Sequence, residues 1–336
     1  MSDTREVYAL DFLPPIHGYR LVRPLGKGSF GMVVLAEKDG EFFAIKISSN
    51  QHEALNEVEM MRKLPLHRNL IRFIESFSES GNFYIVMEYV EGQSLFEHLK
   101  SSFGTLQSHS EPAFFQVLEQ MLNAMVSIHA AGIVHRDIKP DNFMFEKRTG
   151  RVVLLDLGGS SCTGSERSGC VGTPLYVSPE VVREGVDAKD CPSVDMWSIG
   201  IFLVLMHTGK CPYPTSSKCE IEQKRLEIMM SVANLTKPPI PKILMEDESP
   251  FGVWMRTVAT SCLQLDPSLR PTAQQVLDSV KEYQKFLTKS FYNCSLKNLR
   301  HIIKIKWNQN QLVIFLEYCD IFRIILIIIT TYMNEL

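Results

Sequence analysis

The sequence predicts an α+β fold, with a strand-rich first part and a larger helical part after it. Five short runs of β-branched and aromatic residues lie between residues 19 and 87, and turns at 38–40 and 80–81 separate some of them. One amphipathic helical pattern, at 52–64, interrupts these runs, and the apolar pattern at 112–131 has helical spacing. Strands that come first and helices that follow are typical of this fold class.

Composition limits the kind of protein. A chain of 336 residues can form one large domain or two lobes, and its net charge of -3 argues against electrostatically driven binding of nucleic acid. The eight cysteines include no pair with metal-like spacing, and residues 1–6 have no apolar stretch of a signal peptide. Ser2 stands where myristoylation requires glycine. We therefore expect reduced thiols and an intracellular, cytoplasmic protein.

A glycine-rich run follows the first predicted strand. Residues 1–18 are expected to be an extension, and Tyr19–Val22 begins the strand pattern. The run Gly26–Val33 contains G-x-G-x-x-G, which alone also fits a dinucleotide-binding fold. A dinucleotide fingerprint opens a helix, whereas here Val33–Ala36 continues as strand and Phe42–Lys46 follows after a turn. The run therefore favours a glycine-rich hairpin whose backbone covers phosphates.

The next segments predict a helix and two further strands. Apolar residues recur at helical spacing at Leu55, Val58, Met61 and Leu64. The acidic residues of this helix are Glu53, Glu57 and Glu59. The runs 71–77 and 82–87 then read as strands, with a turn at 80–81 between them.

A long amphipathic helix leads into a polar octapeptide. The helix is predicted at 112–131, with Pro112 suited to its first turn and Gly132 to its end. It is followed by the octapeptide His135–Asn142 and, after an apolar run, by Asp156-Leu157-Gly158. In this order, these motifs resemble the catalytic loop and metal-binding segment of eukaryotic-type serine/threonine protein kinases.

The resemblance covers roughly residues 19–287 and implies a two-lobed protein kinase fold. The small antiparallel β lobe with one main helix would span about 19–87, the hinge 88–92 and the larger, mostly helical lobe about 93–287. The apolar helix beginning near Asp195 would be buried in the large lobe, with Asp195 bound to the backbone of the catalytic loop. The last helix of the domain is predicted to begin at Thr272, with Gln275 completing a capping box.

The resemblance assigns roles at the reaction centre. Asp137 would accept the proton of the attacking hydroxyl, and Lys139 would neutralise the γ-phosphate. Lysine at position 139 resembles serine/threonine rather than tyrosine kinases. The remaining catalytic candidates are Lys46, Glu57 as its ion-pair partner, and Thr173 as a partner of Asp137 and Lys139. Aligning His67–Ile71 with the family favours Glu57 over the other acids, although the segment between Lys46 and Glu57 is short for the family.

The implied cofactors are ATP and Mg²⁺. Asn142 and Asp156 would hold the metal, because Mg²⁺ prefers oxygen ligands. The backbone of Glu88 and Val90 would meet the adenine edge, with Met87 behind it. The full set of nucleotide-binding candidates is Gly26, Lys27, Gly28, Ser29, Gly31, Val33, Ala44, Lys46, Met87, Glu88 and Val90. Leu157 departs from the usual phenylalanine, but it is apolar and is expected to pack on the helix that carries Glu57.

The small, polar residues 159–171 correspond to the activation loop. Candidate phosphate acceptors are Ser160, Ser161, Thr163, Ser165 and Ser168. Arg136 is expected to receive such a phosphate, so that an upstream kinase would raise activity. The segment ends in Gly172–Glu180, in which Ser178 replaces the usual alanine, and Arg270 occupies the family's place for the partner of Glu180.

The sequence therefore predicts transfer of the ATP γ-phosphate to serine or threonine hydroxyls of protein substrates. The alternatives are a pseudokinase that acts as a scaffold or binding module, and a small-molecule kinase, against which Ser178-Pro179-Glu180 argues. The Ile-rich tail, 288–336, has no assigned role. Its run Ile324–Ile329 is compatible with a membrane anchor, a β-prone packing segment or translated noncoding sequence, and the anchor is not favoured because charged residues interrupt the span.

Overall fold

The computed structural model describes residues 14–28, 31–103, 111–166, 172–184, 190–215, 220–302, 304–308 and 311–315. The chain divides into two compact units, Met1–Val280 and Lys281–Leu336. The first unit contains a strand-rich lobe followed by a mostly helical lobe, which confirms the predicted α+β, two-lobed fold.

The small lobe is built on an antiparallel sheet of five strands. Its strands are β1 (Arg20–Gly28), β2 (Gly31–Lys38), β3 (Glu41–Ser48), β4 (Phe73–Glu79) and β5 (Asn82–Glu88). Their order in the sheet is β1-β2-β3-β5-β4. The β2 strand pairs directly with β3, so the run after Gly31 is a hairpin and not the start of a helix. Lys46 pairs with Ile85 on β5, which places it in the middle of the sheet.

Helix α1 (Gln51–Lys63) packs on this sheet. The helix begins only three residues after β3, and the Asn50 side chain caps it by accepting the Glu53 N–H at 3.3 Å. Its buried face follows the apolar stripe predicted from the sequence at Val58 and Met61, but not at Leu55. Leu55 is 50% exposed, whereas Glu57 is buried beside Val58 and Met61. A helix this close to β3 turns Glu57 inward, because its carboxylate pairs with a lysine of that strand.

The next elements of the chain follow the hinge and carry the catalytic loop. These are β6 (Gln93–Ser94), α2 (Leu95–Phe103), α3 (Glu111–Ala130), β7 (Ile133–Val134), a 3₁₀ turn (Pro140–Asn142), β8 (Phe143–Glu146), β9 (Arg151–Leu154) and β10 (Ser161–Cys162). Helix α3 buries an apolar face that includes Phe115, Leu118 and Met125. It lies within one residue at each end of the helix predicted from the sequence and holds β7 and the loop after it in place.

Further helices complete the large lobe within the described residues. These are α4 (Pro179–Glu184), α5 (Ser193–Thr208), α6 (Ile221–Ala233), α7 (Lys242–Met245), α8 (Pro250–Cys262) and α9 (Ala273–Ile302), with a 3₁₀ turn at Pro267–Leu269. Helix α5 is buried on nearly all sides, as its apolar sequence predicts. The predicted capping box is present at the start of α9, where Thr272 N donates to Gln275 Oε1 at 2.8 Å and Gln275 N donates to Thr272 Oγ1 at 3.2 Å.

Helices α5 and α8 approach closely at Gly200, which gives a first testable prediction. A Cβ at this position would lie 2.6 Å from Leu263 Cγ and 3.0 Å from Cys262 Cβ. Because these atoms belong to the packed core, we expect Gly200→Ala to lower the free energy of unfolding by about 1–3 kcal/mol. Urea denaturation would measure the change, with Gln223→Ala on the exposed face of α6 as a surface comparison. An unchanged midpoint for Gly200→Ala would contradict the packing described.

In the second unit, strands β11 (Lys304–Asn308) and β12 (Gln311–Phe315) form an antiparallel hairpin. Helix α9 crosses from the first unit into the second. The aliphatic run Ile324–Ile329 lies outside the described residues. Within the described residues, no helix combines the length and the apolar character that a membrane span requires.

Candidate active site

A cavity of about 520 Å³ lies between the sheet of the small lobe and the β8–β9 hairpin of the large lobe. It is lined by eight of the eleven predicted nucleotide-binding residues: Gly26, Gly31, Val33, Ala44, Lys46, Met87, Glu88 and Val90. Two predicted residues, Lys27 and Gly28, lie at the end of β1 and do not line it, and the Lys27 side chain is exposed. Ser29 lies outside the described residues.

Further residues of the cavity wall were not predicted from the sequence. Met144 and Leu155 form part of its wall on the large lobe, and Leu25 and Tyr89 contribute from the small lobe and the hinge. Met144 and Leu155 could have been predicted from their positions in the sequence, because they lie two residues after Asn142 and one residue before Asp156. The cavity is thus apolar along much of its length and charged at one end, where Lys46, Glu57 and Asp156 meet.

Lys46 lies between two carboxylates at this charged end. Its Nζ is 2.7 Å from Glu57 Oε2 and 2.9 Å from Asp156 Oδ1. Burial alone would lower the pKa of Lys46, but the charges of Glu57 and Asp156 outweigh it and raise the pKa above its ordinary value. Burial also raises the pKa of Glu57, against the opposing effect of Lys46. Of the three acids on helix α1, the structure therefore brings Glu57 to Lys46, while Glu59 pairs with Lys63 on the surface.

A second polar cluster surrounds Asp137. Lys139 Nζ lies 2.7 Å from Asp137 Oδ2 and donates to Thr173 Oγ1 at 2.5 Å. Thr173 N donates to Asp137 Oδ1 at 2.9 Å, and Asn142 Nδ2 donates to Asp137 Oδ2 at 3.0 Å. Burial would raise the pKa of Asp137, but the hydrogen bond and charge of Lys139 lower it below its ordinary value. The carboxylate is therefore held ionised and oriented by groups of the catalytic loop and of the segment that contains Thr173.

The backbone at Gly172 brings Thr173 into this cluster. Gly172 has a φ of +114°, which side-chain-bearing residues rarely adopt. A Cβ there would also lie 2.6 Å from the carbonyl oxygen of Arg136. Glycine at this position lets the segment that ends in Glu180 lie directly against the catalytic loop.

The donor atoms near Asp137 and Asp156 fit Mg²⁺. The Asn142 amide nitrogen donates to Asp137, so its Oδ1 is the atom left to accept or coordinate. Asp156 Oδ1 contacts Lys46 and Gly158 N, while the side chain as a whole is 39% exposed. Among the described residues, no group of three or more His, Cys, Asp or Glu could enclose a metal. Two hard oxygen donors beside a nucleotide cavity suit an ion that takes further ligands from phosphates.

Asp195 at the start of α5 binds the backbone of the catalytic loop, as expected from the resemblance. It accepts the N–H groups of His135 at 2.9 Å and Arg136 at 2.8 Å, and it lies 2.9 Å from His129 Nε2. Its side chain is fully buried. Burial would raise the pKa of Asp195, but the His129 contact and the His135 N–H lower it. The loop backbone is therefore anchored to the core of the large lobe.

A buried ion pair fixes the end of the activation segment. Arg270 donates to both carboxylate oxygens of Glu180, at 2.6 and 2.8 Å. Arg270 also donates to the carbonyls of Gln264 and Ser193 and lies over the ring of Trp197. The partner that the resemblance implied for Glu180 is therefore in contact with it.

Two contacts near the site involve residues without a motif of their own. Arg136 pairs with Asp190, which precedes α5, at 3.0 Å. Arg151, the first residue of β9, donates to both carboxylate oxygens of Glu88, at 2.8 and 3.2 Å. In both pairs the partners are more than fifty residues apart, so no local sequence pattern identifies them.

Comparison with known proteins agrees with this geometry. The family model described as protein kinase domain matches residues 19–280. Calcium-dependent protein kinase 14 of Arabidopsis thaliana is 30% identical over 274 residues, which cover 77% of this chain and 48% of the relative. Mitogen-activated protein kinase kinase 2 of Arabidopsis thaliana is 30% identical over 269 residues, 77% of this chain and 70% of the relative.

A third relative, serine/threonine-protein kinase STE20 of Candida glabrata, is 31% identical over 310 residues, which cover 88% of this chain and 31% of the relative. The chain spans about half the length of the calcium-dependent kinases that it matches. The family match covers most of the chain and includes the cavity and both polar clusters. The chain therefore belongs to the protein kinase family, in its eukaryotic serine/threonine type.

Proposed function

We propose that this protein transfers the γ-phosphate of ATP to serine or threonine hydroxyls of protein substrates. The observation that carries the proposal is the simultaneous assembly of both polar clusters beside the cavity. Lys46 contacts Glu57 and Asp156. Asp137 contacts Lys139, Asn142 and Thr173. A pseudokinase would not need both clusters in this arrangement.

In the proposed mechanism, each residue has a positioning or electrostatic task. Lys46, oriented by Glu57, would bind phosphate oxygens at the charged end of the cavity. Asp137, ionised and held by Lys139 and Thr173, would orient the attacking hydroxyl and accept its proton. Lys139 would then stabilise the negative charge that develops on the transferred group.

Asn142 and Asp156 are the residues that would hold Mg²⁺, which supplies neutralisation of phosphate charge when bound. Asp156 remains ionised for this task, because Lys46 and the Gly158 N–H outweigh burial and lower its pKa. The predicted backbone contacts of Glu88 and Val90 with adenine are part of the same proposal, and both residues line the cavity.

Protein rather than small-molecule substrates are supported by the family match and by the segment Gly172–Glu180, which lies against Asp137 and Lys139. An upstream activating kinase stays a prediction. An intracellular, cytoplasmic location is also proposed. It is supported by the free thiols of Cys162, Cys191, Cys211 and Cys262, the cysteines whose surroundings the structure describes.

The proposal is tested by incubating the full chain with labelled ATP and a generic protein substrate, with and without Mg²⁺. We expect label on serine and threonine, and none on tyrosine, after acid hydrolysis of the substrate. Omission of Mg²⁺ should abolish transfer. Binding of an ATP analogue without transfer, in phosphate-free and phosphate-bearing preparations alike, would favour the pseudokinase alternative instead.

A further inference from the structure

Arg136 of the catalytic loop has a buried guanidinium whose counter-charge comes from the chain itself. Its Nη1 lies 3.0 Å from Asp190 Oδ2, and its Nε donates to the carbonyl of Gly159 at 2.5 Å. The Asp190 side chain is fully buried and that of Arg136 is 7% exposed. A buried charge without a counter-charge is destabilising, so the Arg136 guanidinium requires a nearby anion. Asp190 supplies the negative charge that a phosphate on the activation segment could otherwise supply.

Asp190 also binds the activation segment directly. Ser161 Oγ donates to Asp190 Oδ2 at 2.6 Å. Gly164 N donates to the Asp190 carbonyl at 2.7 Å, and Asp190 N donates to the Ser165 carbonyl at 3.1 Å. Strand β10, which contains Ser161, pairs with β7 immediately before the catalytic loop. One residue thus joins the catalytic loop to the first half of the activation segment through side chain and backbone.

We propose that Asp190 is a positioning residue for phosphoryl transfer, which holds Arg136 and the segment Ser161–Ser165 in the competent arrangement without a phosphate. This inference rests on the proposed function. The hypothesis drawn from the sequence, that phosphorylation of this segment raises activity through Arg136, predicts the opposite result. Activity should instead be present in the unmodified protein.

The same geometry assigns an effect to modification of Ser161. Its hydroxyl now donates to a buried carboxylate. A phosphate there would replace the donor by about two negative charges next to Asp190, and like charges at this distance repel. Phosphorylation of Ser161 should therefore detach the segment and lower the rate.

The first experiment compares phosphate-free preparations of the full chain, verified by mass spectrometry before and after the assay. Wild type should be active, and Asp190→Asn should lower kcat by about tenfold or more, because the loop that carries Asp137 is misplaced. The KM for ATP should change little, since Asp190 does not line the cavity. Thr163→Ala, which alters an exposed acceptor in the same segment, is the control and should keep the wild-type rate.

The second experiment tests whether the negative charge of Asp190, and not only its size, is what maintains kcat. Ser161→Glu should lower kcat in the wild-type background, whereas Ser161→Gln, of similar size but uncharged, should lower it less. In the Asp190→Asn background the order should reverse, because the carboxylate introduced by Ser161→Glu would then supply the missing negative charge to Arg136. A purely structural role for Asp190 would change thermal stability of the variants without producing this reversal.

The outcomes separate the two proposals. Phosphate-free wild type that is inactive, but becomes active when isolated with phosphate on the segment, would overturn this inference and leave the proposed function intact. An Asp190→Asn variant with unchanged kcat would overturn it as well. Lack of transfer from every preparation would remove the proposed function, and this inference with it.

Discussion

Replacement of Asp137 by alanine is expected to reduce kcat by about 10²- to 10⁴-fold, the range found when a positioned proton acceptor is lost. Two segments of the chain hold this carboxylate: the catalytic loop, through Lys139 and Asn142, and the segment after Gly172, through Thr173. Such convergence is consistent with a group whose position matters to the reaction. Steady-state transfer to a protein substrate measures the effect.

Nucleotide affinity provides the internal control for Asp137→Ala. Asp137 does not line the cavity, so binding of an ATP analogue should be nearly unchanged. Asp278→Ala, which removes an exposed carboxylate on helix α9, should keep the wild-type rate. A variant without Asp137 that retained a rate within a few fold of wild type would show that another group takes the proton.

Replacement of Arg270 by methionine is expected to lower the free energy of unfolding by about 3–5 kcal/mol, because it leaves the Glu180 carboxylate buried without its cation. The Arg270 guanidinium is fully buried and Glu180 is 9% exposed. Two carbonyl acceptors, of Gln264 and Ser193, would also lose a donor. Urea denaturation measures the loss through the midpoint.

An exposed ion pair on helix α6 is the matched comparison. Arg225 and Glu222 are 54% and 77% exposed, so Arg225→Met should change the unfolding free energy by no more than about 1 kcal/mol. The double variant Glu180→Leu/Arg270→Met should be more stable than Arg270→Met alone, since no charge is then buried unpaired. If Arg270→Met and Arg225→Met lowered the unfolding free energy equally, burial of the Arg270–Glu180 pair would not increase the cost of breaking it.

The parts of the site that could be predicted from the sequence are those in which residue type and local context occur together. The hairpin after Gly31 and the helix before His135 are defined by short-range periodicity. Lys46 lies in the second strand of that hairpin, Asp137 follows that helix, and Asp156 follows the apolar strand β9. The α5 helix is apolar enough to require burial wherever it lies. Such features need no knowledge of distant contacts.

The remaining features depend on how distant segments meet. Periodicity predicted that Leu55 lies on the buried face of α1. In the structure Glu57 faces inward, because its carboxylate forms an ion pair with Lys46, and Leu55 is half exposed. Alignment with the family favoured Glu57 among the acids of α1 despite the short connection before the helix, and the structure brings Glu57 to Lys46. Asp190 has no motif around it, and the role proposed for it follows from its contacts with Arg136, 54 residues earlier, and with Ser161.

The ion pair between Arg151 and Glu88 determines where the two lobes can bend. Glu88 ends strand β5 of the small lobe, yet its carboxylate is held by a residue of the large lobe, and its N–H donates to the Arg72 carbonyl. A rotation of one lobe over the other that keeps these contacts must therefore pivot beyond Glu88, within residues 89–92. At the far end of this stretch, a Cβ on Gly92 would overlap the carbonyl of Phe145, so the backbone there lies against strand β8. The pivot would then be two or three peptide units long, and the cavity edge at Glu88 would keep its distance from strand β9 while the glycine-rich hairpin moved.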